Sequence, residues 1–495
     1  MNTTFANDIT KIRIITALAS LFLSLIAVYF DDLINADGIL YINTAKAFLT
    51  GGLEETSKLY NWPFYSIILA YLHKITTMSL ETNAYFLNGL LFILLNDTLI
   101  RISNKILPNK KQLLIAALFI ICFQPINEYR DFIIRDVGYW AFISLSLYYF
   151  MLYLETPTIK IATIWQLVAI IAFLFRIEGI LLLGLPLFLI SLQKPAAGIK
   201  RILLLNYLFL ACLPLFVLIA LNSFSSNLAF KKINIALSLY TSTENFLTQL
   251  NDNTSIIKTQ ILNKYSEKYA SLLLISGLIA MLFFKLLKAL NLGYIILYLI
   301  SSRHQKPTNT NQIRNLLYYF VSLNLLVLIV FVLHRYFLST RYTVMTVICI
   351  LLLTLPMLCN YLESAWTTKN RFILFLSGII LFYNLADSII QSNSKHYIKN
   401  TAIWAAENLP KGSKILTDET TIQYYAKDHN KSTDISVDNL KKYRRYDYTI
   451  VIKKKKNTEN DISSDDKLTR VYSEKNKRGD DASIYRYKPK NSKEE

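Results

Sequence analysis

Long apolar runs constrain this chain more than any other feature of its sequence. Runs rich in Leu, Ile and Phe recur through the first 390 of its 495 residues, and 53% of all residues are hydrophobic. Runs of about 20 apolar residues span a bilayer as helices, whereas a soluble globule has no place for so many. We therefore expect a mainly α-helical, polytopic membrane bundle of about eleven spans. The expected spans are residues 12–30, 85–103, 112–126, 132–153, 161–175, 177–192, 202–222, 269–286, 316–333, 342–361 and 372–390.

Two further apolar segments are too short for a simple span. Trp62–Ile75 is interpreted as a re-entrant or outer-face helix, and Asn291–Ile300 as a helix at the inner interface. If both crossed the bilayer, the count would rise to thirteen.

The basic residues between the runs predict the orientation. Four loops are rich in Lys and Arg, and such loops stay in the cytoplasm. They place the N-terminus inside and, after eleven spans, the C-terminus outside. Much of the net charge of +19 thus lies in short loops, where it orients the protein in the membrane. We therefore expect no nucleic-acid partner. The loop residues are Arg101, Lys105, Lys110, Lys111, Lys194, Lys200, Arg201, Lys285, Lys288, Arg303, Lys306, Arg314, Lys369 and Arg371.

The first outer loop, Phe30–Gly52, places Asp31, Asp32 and Asp37 just after the first span. Carboxylates near hydrocarbon are costly and often functional. Residues 38–50 then alternate apolar and polar positions with helical spacing, which is typical of a helix lying in the membrane interface. Gly51-Gly52 is expected to end that helix.

The composition changes near residue 391 to Lys, Asp, Asn and Ser, which predicts two domains, residues 1–390 and 391–495. The second is interpreted as a small extracytoplasmic α/β domain. It has a helix over Ala402–Asn408, and four strands are expected at Lys414–Thr417, Tyr448–Ile452, Leu468–Tyr472 and Ser483–Tyr487.

The four cysteines (Cys122, Cys212, Cys349 and Cys359) all lie in apolar runs, without CxxC or Cys/His ligand spacing. We interpret them as packing residues and expect no metal ligands among them.

Acids mix with arginines on the face that the topology assigns to the outside. The positive-inside rule, which sets the orientation, does not explain this mixture. Any single pair, however, would be explained by ordinary ion pairing. Together these residues suggest a site that binds a phosphate and moves a proton. The set is Asp31, Asp32, Asp37, Glu128, Arg130, Asp131, Arg135, Asp136, Arg176, Glu178, His334, Arg335 and Arg341.

Several of these residues fall in short motifs. They are Asp37-Gly38-Ile39-Leu40-Tyr41, the segment Tyr60–Tyr65, Asp136 in RDVGYWAF, Arg341-Tyr342, and Trp404 with Asn408, Pro410 and Gly412. In this arrangement the chain resembles the GT-C glycosyltransferases, especially protein O-mannosyltransferases and bacterial aminoarabinose transferases. Gly38 stands where that family has a second acid, and Asp32 is an alternative counterpart to Asp37.

The resemblance implies transfer of a sugar from a polyprenyl-phosphate donor to a glycan, lipid or protein acceptor at the outer face of a bacterial plasma membrane. Asp37 would be the general base, and Asp136 would be the second catalytic carboxylate. The expected substrate-binding residues are Asp32, Tyr41, Arg135, Arg176, Glu178, Arg335, Arg341 and Tyr342. No cofactor is expected, and the lack of an Asp-x-Asp pair in the first loop gives no support for a divalent metal.

Three other functions stay open. A lipid-linked polysaccharide polymerase or ligase would use the long Ser223–Lys268 loop. A transporter or flippase would place its charges near the bilayer midplane and often shows repeated halves, which this sequence lacks. The third is a non-catalytic scaffold.

The topology has a direct test. A reporter enzyme that is active only outside the cytoplasm, fused after Glu495, should be active, because an odd number of spans carries the C-terminus across the membrane. Activity only of a cytoplasmic reporter at the same position would reverse the assignment of faces.

Overall fold

The computed structural model describes residues 3–31, 33–192, 198–211, 243–304, 312–389, 395–430, 434–453, 465 and 467–488. These residues are mainly helical. The helices are α1 (Thr3–Phe30), α2 (Ala36–Leu59), α3 (Phe64–Thr76), α4 (Leu80–Ile106), α5 (Lys110–Ile121), α6 (Gln124–Asn127), α7 (Asp136–Glu155), α8 (Ile159–Phe175), α9 (Phe188–Leu192), α10 (198–211), α11 (Thr243–Ile256), α12 (Ala270–Leu290), α13 (Leu292–His304), α14 (Gln312–Arg335), α15 (Thr340–Thr367), α16 (Arg371–Ile389), α17 (His396–Asn408) and α18 (Thr420–His429).

Seven helices of the described residues are long and apolar enough to cross a membrane, so the prediction of a helical membrane protein is confirmed. Each corresponds to one of the eleven expected spans. The seven are Asp8–Phe30, Leu80–Ile106, Asp136–Glu155, Glu267–Leu290, Gln312–Arg335, Thr340–Thr367 and Arg371–Ile389.

The predicted count of eleven to thirteen spans is not confirmed, because three of the other expected segments are interrupted or short. The apolar run 112–126 is divided at Cys122 and Phe123 between α5 and α6. Helix α8 has 17 residues, or about 25 Å, against about 30 Å of hydrocarbon. The run 177–192 begins as a 3-10 helix, Ile177–Leu187, that contains Pro186. The fourth, 202–222, is described only as far as residue 211.

The described residues divide into two compact units. The first unit comprises Met1–Ile26, Thr44–Arg130 and Arg135–Ile389, and thus most of the apolar helices. The second comprises Ala27–Asn43, Asp131–Ile134 and the described part of Ile390–Glu495. The second unit therefore contains two segments that come from the N-terminal part of the sequence.

Close packing in the first unit depends on glycine at one helix contact. A Cβ built on Gly138 of α7 would lie 2.3–2.5 Å from ring atoms of Phe175, the last residue of α8. Since real side chains do not approach so closely, only glycine lets the two helices meet here. Phe175 also stacks on Phe142, with ring centroids 5.7 Å apart. This contact fixes the end of α8, just before Arg176.

The second unit is built on a five-stranded sheet of order β2-β1-β3-β5-β4. Strand β1 pairs in parallel with β2 and β3, and β5 pairs antiparallel with β3 and β4. The four expected strands are present, whereas β2 and α18 were not predicted. The strands are β1 (Lys414–Thr417), β2 (Asp434–Val437), β3 (Tyr448–Lys453), β4 (Leu468–Lys475) and β5 (Asp481–Tyr487).

Hydrogen bonds hold the two N-terminal segments within the second unit. The Asn35 side chain accepts from the Ile133 N–H at 2.8 Å and donates to the Ile133 carbonyl at 3.2 Å. The Ile34 N–H donates to the Tyr425 hydroxyl of α18 at 2.9 Å. Gly38 lies in the same contact, because a Cβ there would be 2.9 Å from the Ile133 side chain. A larger residue such as an acid would therefore clash at position 38.

Helix α2 is longer than the predicted helix over residues 38–50. It begins at Ala36, breaks at Gly51-Gly52, and resumes to Leu59. Gly51 and Gly52 have non-helical backbone angles, and Gly52 has φ +64°, which glycine adopts readily, so the first helical segment ends at the glycines as predicted and a second segment follows. Ile39, Ile42 and Ala45 are buried, and so is the polar residue Thr44.

Replacing Tyr425 by Phe tests the link between the Ala27–Asn43 segment and α18. The Ile34 N–H is buried, and losing its acceptor should reduce the free energy of unfolding by about 1–3 kcal/mol. Thermal unfolding of the purified chain in detergent measures the change. Tyr29→Phe is the control, since the Tyr29 side chain is 82% exposed. Equal stability of the two variants would show that the hydrogen bond contributes nothing.

Candidate functional site

A buried ion pair network lies where three helix ends of the first unit meet. Arg176 follows α8 with extended backbone, φ −148° and ψ 138°, so the chain leaves the helix there. Its Nη1 donates to Asp136 at the start of α7, and its Nη2 donates to Glu178. A further bond joins Arg176 Nε to Glu178 Oε2 at 3.1 Å. Asp136 and Arg176 are 2% and 6% exposed, so both charges depend on each other for compensation.

The helix termini favour this arrangement of charges. Asp136 occupies the first turn of α7, where the partial positive charge of the N-terminus attracts a carboxylate. Arg176 caps the C-terminus of α8, where the partial negative charge attracts a cation. The fold therefore directs the Asp136 carboxylate and the Arg176 guanidinium toward each other from the ends of adjacent helices.

Tyr342, near the start of α15, lies beside two guanidinium groups. The Arg176 Cζ is 4.6 Å from the centroid of its ring, and the Arg341 Cζ is 5.2 Å from it. Arg341 Nη2 also donates to the Tyr342 hydroxyl at 3.3 Å. The two distances from a guanidinium Cζ to the ring centroid, 4.6 Å and 5.2 Å, are within the range of cation–π attraction. Phe331 packs edge-on against Tyr342 and fixes the other side of its ring.

These side chains line a cavity of about 30 Å³ together with Tyr139 and Asn324. That volume holds one or two water molecules, not a sugar phosphate. Arg341, Tyr342 and Glu178 are half-buried, whereas Asp136 and Arg176 are fully enclosed. Admission of a larger ligand would therefore require movement of Arg341 and Tyr342.

The balance of charge distinguishes the two arginines. Arg176 is bonded to two carboxylates, so its positive charge is compensated within the protein. Arg341 lines the same cavity and bonds to the Tyr342 phenol. The two carboxylates outweigh the single charge of Arg176, so the two arginines and two acids that line the cavity have no net charge, and Arg176 is held in place beside Arg341.

Several expected site residues lie elsewhere. Arg135 precedes α7, with its Cζ 5.3 Å from the Tyr60 ring, and does not line the cavity. Arg335 is exposed at the end of α14. Asp37, which is half-buried, and Tyr41, which is buried, belong to the second unit. Asp32 lies outside the described residues.

Arg130 and Glu128, two further residues of the predicted set, form hydrogen bonds within the first unit. Arg130 is 1% exposed and donates to the Ser20 carbonyl, to the hydroxyls of Ser20 and Ser24, and to Asn127. It connects α1 with the segment after α6. Burial raises the pKa of Glu128, which accepts from Gln124 at 2.8 Å.

Tyr139 and Asn324 also line the cavity and were not predicted from the sequence. Tyr139 is three residues after Asp136, so helical spacing places the two on one face of α7. Asn324 is an isolated amide within an apolar run, a signal that could have drawn attention to it. Its side chain donates to the Phe320 carbonyl at 2.8 Å.

The second unit contains a larger, polar cleft of about 930 Å³. Its size is that of a small-molecule site. Acids and bases both line it, so it suits a polar ligand more than an apolar one. The charged lining residues are Asp31, Asp131, Lys395, Glu419, Lys477, Arg478 and Asp480.

No group of three or more His, Cys, Asp or Glu side chains among the described residues could hold a metal ion. Cys122, Cys349 and Cys359 are free thiols, and Cys212 lies outside the described residues. Comparison with protein-family models and with curated proteins finds no match to this chain.

Arg176→Gln tests the buried network. Without the guanidinium, Asp136 and Glu178 lose their counter-charge inside the protein, and the free energy of unfolding should fall by about 3–5 kcal/mol. Unfolding in detergent measures this. The matched control is Lys58→Gln, which breaks the exposed pair with Glu55 and should cost less than about 1 kcal/mol. Similar losses in both variants would contradict a structural role for the network.

Proposed function

We propose that this chain is an integral membrane glycosyltransferase similar to the GT-C enzymes. It would transfer a sugar from a polyprenyl-phosphate-linked donor to an acceptor hydroxyl at the outer face of the membrane. The single observation that carries the proposal is the cluster of Arg341 and Tyr342 with the Asp136–Arg176–Glu178 network at the ends of apolar helices. Such a cluster suits an anionic group presented at a membrane surface.

The donor phosphate is the leaving group in this reaction. The acceptor oxygen attacks the anomeric carbon as the bond from that carbon to the phosphate oxygen breaks, and negative charge grows on the phosphate. Preorganised cations near that position lower the barrier because they do not reorganise during the reaction. Arg176 is kept rigid by its two carboxylates, and Arg341 would supply a second cation after it has moved to admit the donor.

The acceptor hydroxyl must lose a proton as it attacks. We assign this role to Asp37, since a carboxylate within hydrogen-bond reach can serve as a general base. Asp37 lies in the first turn of α2. Asp136 would act as the second acid of the site by orienting Arg176.

The proposal includes the location of the reaction. We place the protein in a bacterial plasma membrane, with a cytoplasmic N-terminus and an extracytoplasmic C-terminal domain. The basic loops of the sequence support this orientation.

Asp37→Asn and Arg341→Ala test the proposal in proteoliposomes that contain a polyprenyl-phosphate sugar. Loss of a general base should lower the rate about 10²–10⁴-fold. Loss of a cation at the leaving group should lower it about 10²–10³-fold. Radiolabel transfer to an envelope-lipid or glycan acceptor measures both.

Asp434→Asn and Arg371→Ala are the matched controls, since both side chains are exposed. They should retain the rate of the unaltered protein. If Asp37→Asn and Arg341→Ala transfer sugar at the same rate as these controls, the assignment is wrong. Solute movement without sugar transfer would indicate a transporter.

A further inference from the structure

A second cavity in the first unit, of about 700 Å³, lies among helices α12, α13, α14 and α15. Most of its lining is aliphatic, including Leu287, Leu317 and Leu353. The size is within the range of small-molecule sites, and three of the four helices overlap candidate membrane spans. The cavity is therefore an apolar space within the membrane region.

Charge in this cavity is confined to one end. Among the described residues that line it, Arg314 alone carries a charge, and Asn360 is the only side-chain amide. Arg314 is in the first turn of α14 and is the third residue of the helix as described. A long apolar wall with a single guanidinium matches an amphiphile with an apolar chain and an anionic head.

The cavity is distinct from the candidate functional site. Tyr342 of that site is in the first turn of α15, whereas Met357 of the cavity is 15 residues further along the same helix. At 1.5 Å per residue, about 22 Å separates them along the helix axis. Other parts of the two spaces are closer, since Ile350 of the cavity is five residues from Met345 of the site. No described residue lines both spaces, however, and the arginines Arg314 and Arg341 lie on different helices.

The wall formed by α15 is locally irregular. Pro356 has no N–H to donate to the Leu352 carbonyl, so the helical hydrogen-bond ladder is interrupted where α15 borders the cavity. Two residues before Pro356, the Thr354 hydroxyl forms a hydrogen bond with the Tyr294 hydroxyl of α13. Tyr298 and Tyr318 add two phenols to the lining, and tyrosine is common at the level of lipid headgroups.

We infer that this cavity binds an anionic phospholipid, with an acyl chain along the apolar wall and the phosphate at Arg314. Basic pockets between membrane helices on the cytoplasmic side bind anionic headgroups. The orientation predicted from the basic loops places Arg314 on that side, where anionic lipids are concentrated. This inference does not depend on the proposed glycosyl transfer.

Binding can be measured on the full chain in detergent by titrating dioleoyl phosphatidylglycerol and dioleoyl phosphatidylcholine. The two lipids have the same chains and differ in head charge. Native mass spectrometry counts bound lipids, and thermal unfolding reports stabilisation. We expect phosphatidylglycerol to bind at least about tenfold more tightly, because the phosphatidylglycerol head has no ammonium group to offset its phosphate charge at Arg314.

Arg314→Gln should remove this preference, and Arg314→Lys should restore part of it, which separates loss of charge from misfolding. Arg303→Gln is the matched control, because Arg303 is exposed on the adjacent α13 and does not line the cavity. It should keep the preference.

Three results would overturn the inference. The first is an unchanged preference in Arg314→Gln. The second is an equal loss in Arg303→Gln, which would indicate only general surface charge. The third is binding of a polyprenyl phosphate at Arg314 with no binding of phosphatidylglycerol, which would identify a different occupant.

Discussion

The Arg176 guanidinium between Asp136 and Glu178 is the interaction on which the candidate site depends. A charge enclosed in an apolar helix bundle is stable only when it is paired and hydrogen-bonded. Here the pairing joins the start of α7 to the end of α8, and Gly138 allows these helices to meet against Phe175. The packing of α7 against α8 thus brings the charged side chains together, and their ion pair stabilises the contact between the two helix ends.

Tyr342 extends this network to α15. Its ring lies close to both the Arg176 and the Arg341 guanidinium groups, so a third helix end becomes part of the same cluster. The cluster combines a rigid, compensated arginine with a half-buried one. That combination is suited to binding an anion, because one cation maintains the geometry while the other can respond to a ligand.

Particular elements show how far the sequence could be interpreted. Strand β1 was expected at Lys414–Thr417 and is found there, because β-branched and apolar residues between turn signals are informative. The short β2 and the polar α18 were missed, since four or ten residues of mixed polarity carry little periodicity. The predicted span count is not confirmed where apolar runs continue through breaks in the backbone, as at Cys122-Phe123 and Pro186.

By itself, the sequence determined that this protein is a helical membrane protein with a small C-terminal sheet domain, because hydrophobicity and its period depend on local composition. It also identified Asp136, Arg176, Glu178, Arg341 and Tyr342 as polar residues at helix ends. Only the tertiary structure decided that these five meet around one cavity and that Arg135 and Arg335 do not line it. It also placed the Asp131–Ile134 segment in the same unit as the sheet, through Asn35 and Ile133. The physical reason is that contacts between residues tens to hundreds of positions apart depend on packing, which no local pattern records.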